Sequence, residues 1–130
     1  MIVDSSALIA ILTKEPERDR LGTALGLVRR RIISSATLLE TSIVAVVRAG
    51  DRGMAEVDRL VASLMLQVEP FTAEQAMLAR EAFLRFGKGR HAARLNFGDC
   101  IAYALAKERG EPLLFKSDDF SKTDIEAARY

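Results

Sequence analysis

Residues 1–12 read MIVDSSALIAIL and change within a few positions from the pattern of a strand to that of a helix. Met1 to Asp4 is a very short apolar run, and from Ser5 to Thr13 the apolar residues recur at helical spacing. The stretch predicts a β-strand that runs directly into an α-helix, with an aspartate at the junction. In open α/β sheets, ligands bind beyond the carboxyl ends of the strands, so the residues that follow each strand are the first candidates for a site.

The composition is that of an ordinary soluble globular domain. The chain has 130 residues, of which 49% are hydrophobic and 28% charged, and it is expected to form a single domain over residues 1–130. Its formal net charge of +1 gives no global argument for nucleic acid, membrane or acidic partners. Cys100 is the only cysteine, which excludes an internal disulfide and a cysteine-based metal cluster, and we expect it to be buried on a helix.

The amino terminus and the hydropathy pattern predict a soluble, cytoplasmic protein. The first residues lack the positive leader of a secretory signal and meet an aspartate at position 4. No uninterrupted apolar run approaches the roughly 20 residues that a membrane span needs. We therefore expect no membrane association.

Strand and helix patterns alternate along the rest of the chain. Further short strands are predicted at Ile32–Ser34, at Gln67–Glu69 and after Pro112, and further helices at Glu17–Leu27, Ala36–Ala49, Arg52–Leu66, Thr72–Phe86 and Phe97–Arg109. The strands are too short and too apolar to alternate, which is typical of parallel sheets covered by helices on both faces. The predicted fold class is α/β, with helical layers on the two sides of a short parallel sheet.

Two of these helices, Ala36–Ala49 and Arg52–Leu66, are predicted to form a hairpin in which Gly50 ends the first helix. The apolar faces of this hairpin exceed what a thin sheet can cover. Such a surplus suits a dimer, or a partner helix packed in a groove.

Four separate segments each bring acidic residues to the carboxyl edge of the predicted sheet. Asp4 ends the first strand, Glu40 lies in the first turns after the second, and Asp99 opens the helix before the fourth. Asp118 and Asp119 follow that last strand in LLFKSDDFSKTD, residues 113–124.

Each of these acids also has a purely structural explanation. Asp4 is placed to cap the helix that follows it, and Glu40 completes a capping-box pattern that begins at Thr37. Asp99 stands three residues after the cap residue Asn96, where a carboxylate suits the helix dipole. Asp118 and Asp119 are compatible with a solvated turn.

Helix capping alone does not require all of these carboxylates to lie at one edge of one sheet. Clustered carboxylates repel one another, and without a cation some of them would be protonated at neutral pH. Mg²⁺ or Mn²⁺ relieves this repulsion, since both are hard ions that take oxygen ligands, several waters and substrate phosphate oxygens. The pattern favours metal-assisted hydrolysis of phosphodiesters.

Other routes to phosphate or acyl chemistry are poorly supported. No Walker-type loop and no Rossmann fingerprint is present. Asp4-Ser5-Ser6 lacks the second acid of an aspartyl-phosphate phosphatase. His91 is the only histidine and lies in a polar loop, which argues against a Ser-His-Asp triad.

A basic loop, GKGRHAARL at residues 87–95, directly precedes the segment of Asp99. Lys88, Arg90 and Arg94 could approach the acidic edge from its rim and hold a nucleic-acid backbone. The same residues could instead form a solubilising loop, with His91 as a plain exposed member of it.

Taken together, MIVDSSALIAIL, Glu40, NFGDCIAYALA (residues 96–106) and LLFKSDDFSKTD resemble PIN-domain ribonucleases of the VapC toxin type. The resemblance covers essentially the whole chain. It implies a three-layer α/β/α fold, an endoribonuclease dependent on Mg²⁺ or Mn²⁺, and a VapB-type antitoxin that blocks the site. It also implies a homodimer that attacks structured RNA of the transfer or ribosomal class.

Matched by motif, Asp4, Glu40 and Asp99 correspond to three acids of the family's site, and Ser6 to the hydroxyl beside the first. Asp4 and Asp99 would hold a metal directly, and Glu40 and a fourth acid through water or a second ion. Many members end the last strand with Thr-x-Asp, whereas Phe115-Lys116-Ser117 stands here. Asp118 is the preferred fourth acid, with Asp119 open and Asp124 a weaker candidate.

Two other functions remain compatible with the sequence. A PIN-like module could bind RNA or a partner helix without cleaving, and a small phosphohydrolase could act on free nucleotides. Chelator-sensitive cutting of RNA separates the nuclease from both.

Overall fold

The computed structural model describes residues 1–130 and contains one sheet surrounded by helices. The strands are β1 (Ile2–Val3), β2 (Ile32–Ser34), β3 (Gln67–Glu69) and β4 (Leu113–Leu114), and the helices are α1 (Ser5–Leu12), α2 (Arg18–Leu27), α3 (Ser35–Ala49), α4 (Asp51–Ser63), α5 (Ala73–Phe86) and α6 (Phe97–Arg109). A 3₁₀ helix follows at Phe120–Lys122. The predicted order of strands and helices is confirmed.

All four strands are parallel and lie in the order β3-β2-β1-β4. Ile2 of β1 is paired with Ile32 of β2 on one side and with Leu113 of β4 on the other. Because the strands run in the same direction, their carboxyl ends meet at one edge of the sheet. This edge carries the residues that follow β1, β2 and β4.

Alternate residues of β1, β2 and β4 pack into two separate cores, one on each face of the sheet. Ile2, Ile32 and Leu113 pack against the buried sides of α5 and α6. Val3, Ile33 and Leu114 pack on the opposite face against α1 and α2, with α4 at the margin. The three-layer α/β/α arrangement is therefore confirmed, although the edge strand β3 leaves Gln67 and Val68 exposed.

The caps of two helices differ from the sequence expectation. Helix α3 begins one residue earlier than predicted, and Ser34 caps it by accepting a hydrogen bond from the backbone amide of Ala36. Thr37 therefore lies inside the helix, and the predicted capping box from Thr37 to Glu40 is wrong. At α5 the sequence pattern predicts a capping box formed by Thr72 and Gln75. Thr72 caps the helix as predicted, but Gln75 donates its side-chain amide to Glu108 of α6 at 2.7 Å, so the box is half-formed.

The hairpin of α3 and α4 exposes an apolar stripe, as expected. Leu39, Ile43 and Val47, spaced four residues apart on α3, are 61%, 54% and 81% exposed, and Met54 of α4 is 42% exposed. The inward face of α3 carries small residues instead, among them Thr41, Ser42 and Ala45. None of the helices is long and apolar enough to cross a membrane.

Candidate active site

Asp4 follows β1 directly and is almost completely buried, with 2% of its surface exposed. Its Oδ2 caps α1 by accepting hydrogen bonds from the backbone amide and the hydroxyl of Ser6, at 3.0 and 2.6 Å. Its Oδ1 is buried without any hydrogen-bond partner. The capping role is therefore real, but it uses only one carboxylate oxygen and leaves the other free to bind something else.

Ser6 also connects Asp4 to the segment that follows β4. Its hydroxyl oxygen accepts a hydrogen bond from the backbone amide of Lys116 at 3.0 Å, while the hydroxyl hydrogen goes to Asp4. The end of β1 and the end of β4 are thus fixed relative to each other through one side chain. Through these two hydrogen bonds, Ser6, which the family motif places beside the first acid, fixes the orientation of the Asp4 carboxylate.

Glu40 comes from the second turn of α3 and points across to the start of α6. Its carboxylate packs directly against the Cα of Gly98, where a side chain would otherwise stand. Its Oε2 is buried without a hydrogen-bond partner. Since Glu40 is not part of a capping box, its position has no local structural explanation.

Asp99 lies in the first turn of α6 and takes part in a complete capping box with Asn96. The backbone amide of Asn96 donates to Oδ2 of Asp99 at 2.7 Å, and the backbone amide of Asp99 donates to the side-chain oxygen of Asn96 at 3.0 Å. Like Asp4, Asp99 uses one oxygen to cap a helix. The cap fixes the carboxylate at the carboxyl edge of the sheet.

Burial and mutual repulsion raise the pKa values of all three acids. Burial raises the pKa of Asp4, and the charge of Glu40 adds to this shift while the hydrogen bonds from Ser6 oppose it. Burial also raises the pKa of Glu40, with a further contribution from Asp99, and the nearby Ser5 hydroxyl opposes it.

Burial, neighbouring charges and a hydrogen bond also act together on the pKa of Asp99. Burial is the main cause that raises its pKa to about 6, the charges of Asp4 and Asp119 add to it, and the hydrogen bond from Asn96 opposes it. Each of these carboxylates therefore acts electrostatically on another. A cation at this edge would relieve the repulsion and return the pKa values toward their ordinary range.

The geometry favours Asp119 over Asp118 as the fourth acid, the reverse of the preference from the sequence. Asp118 is exposed, whereas Asp119 is partly buried and its charge raises the pKa of Asp99. The hydroxyl of Ser117, where many family members have the acid, is buried without a partner. The assignment of the fourth acid stays a prediction.

Asp124, the weaker candidate, is engaged in a structural ion-pair network. It accepts a hydrogen bond from the Tyr103 hydroxyl at 2.6 Å and forms ion pairs with Lys107 and Arg85 at 3.0 and 3.2 Å. Burial alone would raise its pKa, but these partners outweigh burial and lower it to about 2. Its charge is already balanced, which argues against a role as the fourth acid.

The donors at this edge fit a hard divalent cation by their chemistry. All are carboxylate oxygens, and two of them, on Asp4 and Glu40, are buried without a partner. No group of three acidic, histidine or cysteine side chains is arranged so that it could hold a metal ion. Mg²⁺ commonly takes one or two protein carboxylates and completes its shell with waters and substrate phosphates.

The basic loop of residues 87–95 ends at the cap of α6 and therefore lies at the same end of that helix as Asp99. Lys88, Arg90 and Arg94 are exposed, and Arg90 donates a hydrogen bond to the carbonyl of Leu84 at 3.3 Å. His91 is exposed as expected, accepts a hydrogen bond from the amide of Ala93 and lies edge-on against Phe86. Its contacts give it a structural role in holding the loop.

The sequence patterns did not identify two further residues at this edge. Ser5 lies next to Glu40 and opposes the rise of its pKa, and nothing in the sequence distinguished it from Ser6. Gly98 makes room for the Glu40 carboxylate. Glycine destabilises a helix relative to alanine, so a glycine in the first turn of a helix can indicate that another group occupies the space of its side chain.

Comparison with known proteins gives the class that this fold and acidic edge define. The family model described as PIN domain matches residues 1–126, and the chain belongs to the PIN-domain family. Two curated relatives are Ribonuclease VapC30 of Mycobacterium tuberculosis, 44% identical over 96% of this chain and 95% of the relative, and Ribonuclease VapC of Mycolicibacterium smegmatis, 46% identical over 98% of each. Within the family, the chain is a ribonuclease of the VapC type.

Solved structures agree on the fold. The crystal structure of VapC20 from Mycobacterium tuberculosis, a toxin described as cleaving the sarcin-ricin loop, has a TM-score of 0.80 at 22% identity and covers 99% of this chain and 98% of its own. VapBC2 from Rickettsia felis, bound to a DNA fragment from its promoter, has a TM-score of 0.75 at 13% identity, with 97% and 94% covered. At these identities the likeness concerns the fold alone.

Proposed function

We propose that this protein is the toxin of a type II toxin-antitoxin system and acts in the cytoplasm as an endoribonuclease that requires Mg²⁺ or Mn²⁺. Its site comprises Asp4, Glu40 and Asp99, with Asp119 as the preferred fourth acid and Asp118 as the alternative. Membership in the VapC-type ribonucleases supports the activity. The metal requirement and the fourth acid rest on the geometry of the acidic edge.

One observation carries the proposal most strongly. Asp4 and Glu40 reach the carboxyl edge from different elements, and each has one carboxylate oxygen that is buried without a hydrogen-bond partner. An unpaired buried carboxylate oxygen is costly, so it is expected either to carry a proton or to face a cation. A bound divalent cation together with its waters would give both of these oxygens a partner.

Within this proposal the residues have separate tasks. Asp4 and Asp99 provide the direct carboxylate ligands, and Ser6 and the Asn96 cap hold those two side chains in place. Glu40 and the fourth acid act through water or a second ion. When bound, the metal supplies a water of lowered pKa and stabilises charge on the attacked phosphate.

The substrate class is proposed to be structured RNA, of the transfer or ribosomal type. Lys88, Arg90 and Arg94 lie on the loop that leads into α6 and are exposed. Phosphate contacts from such side chains position a backbone without reading its sequence. They would hold the RNA beside the acidic edge.

The proposed partners are a VapB-type antitoxin and a second copy of the chain. The exposed apolar stripe of Leu39, Ile43 and Val47 supports the presence of a partner, because contiguous apolar surface of this kind commonly marks an interface. The Rickettsia felis neighbour is itself a VapBC assembly. A homodimer is expected.

The main alternative is a PIN-like module that binds RNA or protein without cleaving. Purified protein is mixed with structured RNA in Mn²⁺, and then an excess of chelator is added. The nuclease proposal expects cutting that stops with the chelator and resumes when Mn²⁺ is restored. Binding that persists in Mn²⁺ without any cutting would support the module instead, and turnover of free nucleotides alone would support a small phosphohydrolase.

A further inference from the structure

Gly98 is the second residue of α6, lies directly before Asp99, and is buried. A Cβ built at this position would lie 2.6 Å from both Cδ and Oε2 of Glu40, and closer still to Oε1. Real Cβ atoms do not approach other atoms so closely. The three nearest atoms all belong to the Glu40 carboxylate, so the space left by the missing side chain is occupied by one functional group.

The other glycines of the chain do not share this property. A Cβ at Gly53 would meet the backbone of Ala45, and one at Gly87 would meet Phe83, while Gly22 and Gly26 have nothing within 4 Å. Gly53 and Gly87 thus serve the packing of elements against each other. Only Gly98 makes room for an acid of the candidate site.

The protein can accommodate a methyl group at position 98 if the Glu40 carboxylate moves away. The Glu40 carboxylate is the far end of a flexible side chain, and its Oε2 has no hydrogen bond to hold it, so the carboxylate would move rather than the helix backbone. Alanine also favours the helical state over glycine, both by propensity and by restricting the unfolded chain. The substitution would therefore disturb the site while sparing the fold.

We propose that Gly98 is a positioning residue, whose lack of a side chain lets the Glu40 carboxylate lie against the turn that carries Asp99. This inference rests on the proposed metal-dependent nuclease function. A glycine needed only for packing would have the opposite signature, namely a loss of stability without a selective loss of activity.

The test uses four variants of the full chain: Gly98→Ala, Glu40→Asp, the double variant with both changes, and Gly26→Ala as a matched helical control. Glu40→Asp shortens the acid by one methylene and so removes the group that the methyl would meet. Each protein is measured for its thermal midpoint, for Mn²⁺ affinity by calorimetry in the absence of RNA, and for single-turnover cleavage of one structured RNA.

The expected result is that Gly98→Ala keeps or raises the thermal midpoint, weakens Mn²⁺ binding about 10-fold and slows cleavage by about 10- to 100-fold. In the Glu40→Asp background, Gly98→Ala should weaken Mn²⁺ binding and slow cleavage by less than about 3-fold each. Two residues in direct contact give non-additive effects in a double-mutant cycle. Gly26→Ala should leave both functional readouts unchanged.

Three results would overturn the inference: equal losses from Gly98→Ala in both backgrounds, a Gly98→Ala protein with normal metal binding and cleavage, or a Gly98→Ala protein that fails to fold. The proposed function itself is tested separately, by measuring Mn²⁺ binding and RNA cleavage of the wild-type protein. If the wild type neither binds Mn²⁺ nor cuts RNA, that function fails, and the role of Gly98 falls with it.

Discussion

At the scale of single residues, the structural and functional explanations of the acids are compatible because a carboxylate has two oxygens. Asp4 and Asp99 each cap a helix with Oδ2, and the Oδ1 of Asp4 is left without a partner. The sequence could predict these two positions, since a helix start after a strand is visible in the chain. It could not predict the contact of Glu40 with Gly98, which joins residues 58 positions apart.

The fourth acid can be settled by two matched substitutions. Asp119→Asn is expected to slow RNA cleavage by about 10-fold or more, because the charge of Asp119 reaches Asp99 at the acidic edge. Asp118→Asn should change the rate by less than about 2-fold, because its side chain is exposed. A larger loss from Asp118→Asn than from Asp119→Asn, in single-turnover assays of folded protein, would reverse the assignment.

Asp124 is expected to contribute to stability rather than to catalysis. Its pKa is about 2 in the folded protein against an ordinary value of 3.8, so its contribution is complete above pH 4 and is lost as the pH falls through about 2. Asp124→Asn should lower the free energy of unfolding by about 1 kcal/mol at pH 7, a figure reduced for the partial exposure of the side chain.

Urea denaturation between pH 7 and pH 2.5 measures this effect, with the exposed, unpaired Asp58→Asn as the control. The difference in free energy of unfolding between Asp124→Asn and the wild type should become smaller toward pH 2.5. A difference that stays constant from pH 7 to pH 2.5 would show that the ion pairs of Asp124 do not cause it. RNA cleavage by Asp124→Asn should remain near the wild-type rate.

At the scale of elements, local patterns predicted strands and helices well but predicted their caps less well. Ser34 ends β2, as predicted, and also caps α3, three residues before the Thr37 that was predicted to begin a capping box. The side chain of Gln75 binds Glu108 on a neighbouring helix instead of completing the predicted box with Thr72. This second departure comes from a tertiary contact that no short window of sequence contains.

The α3–α4 hairpin depends on Gly53 for its close approach. A Cβ there would lie 2.5 Å from the carbonyl carbon of Ala45, which is backbone and has little freedom to move. Gly53→Ala should therefore lower the free energy of unfolding by about 1–3 kcal/mol through overpacking. Urea denaturation tests this against Gly26→Ala, which has open space and should be neutral or slightly stabilising; equal stabilities of the two variants would contradict the packing argument.

At the scale of the whole molecule, a parallel sheet with a separate core on each face gathers acids that are far apart in the chain. The order β3-β2-β1-β4 places β1 at the centre, flanked by β2 and β4, so the segments after these strands meet at one edge. The sequence predicted this edge because parallel α/β topology follows from the alternation of elements. It could not predict which of the adjacent aspartates faces inward, since that depends on the path of the loop after β4.

The most direct test of the central claim compares the wild type with Asp4→Asn in RNA cleavage. Asn preserves the oxygen that caps α1 and removes the charge, so the variant should fold normally and its thermal midpoint should not fall. With a nuclease-free preparation in Mn²⁺, the wild type is expected to cut structured RNA and Asp4→Asn to be slower by about 100-fold or more. Cleavage by folded Asp4→Asn at the wild-type rate would contradict the acidic edge as the site of the reaction.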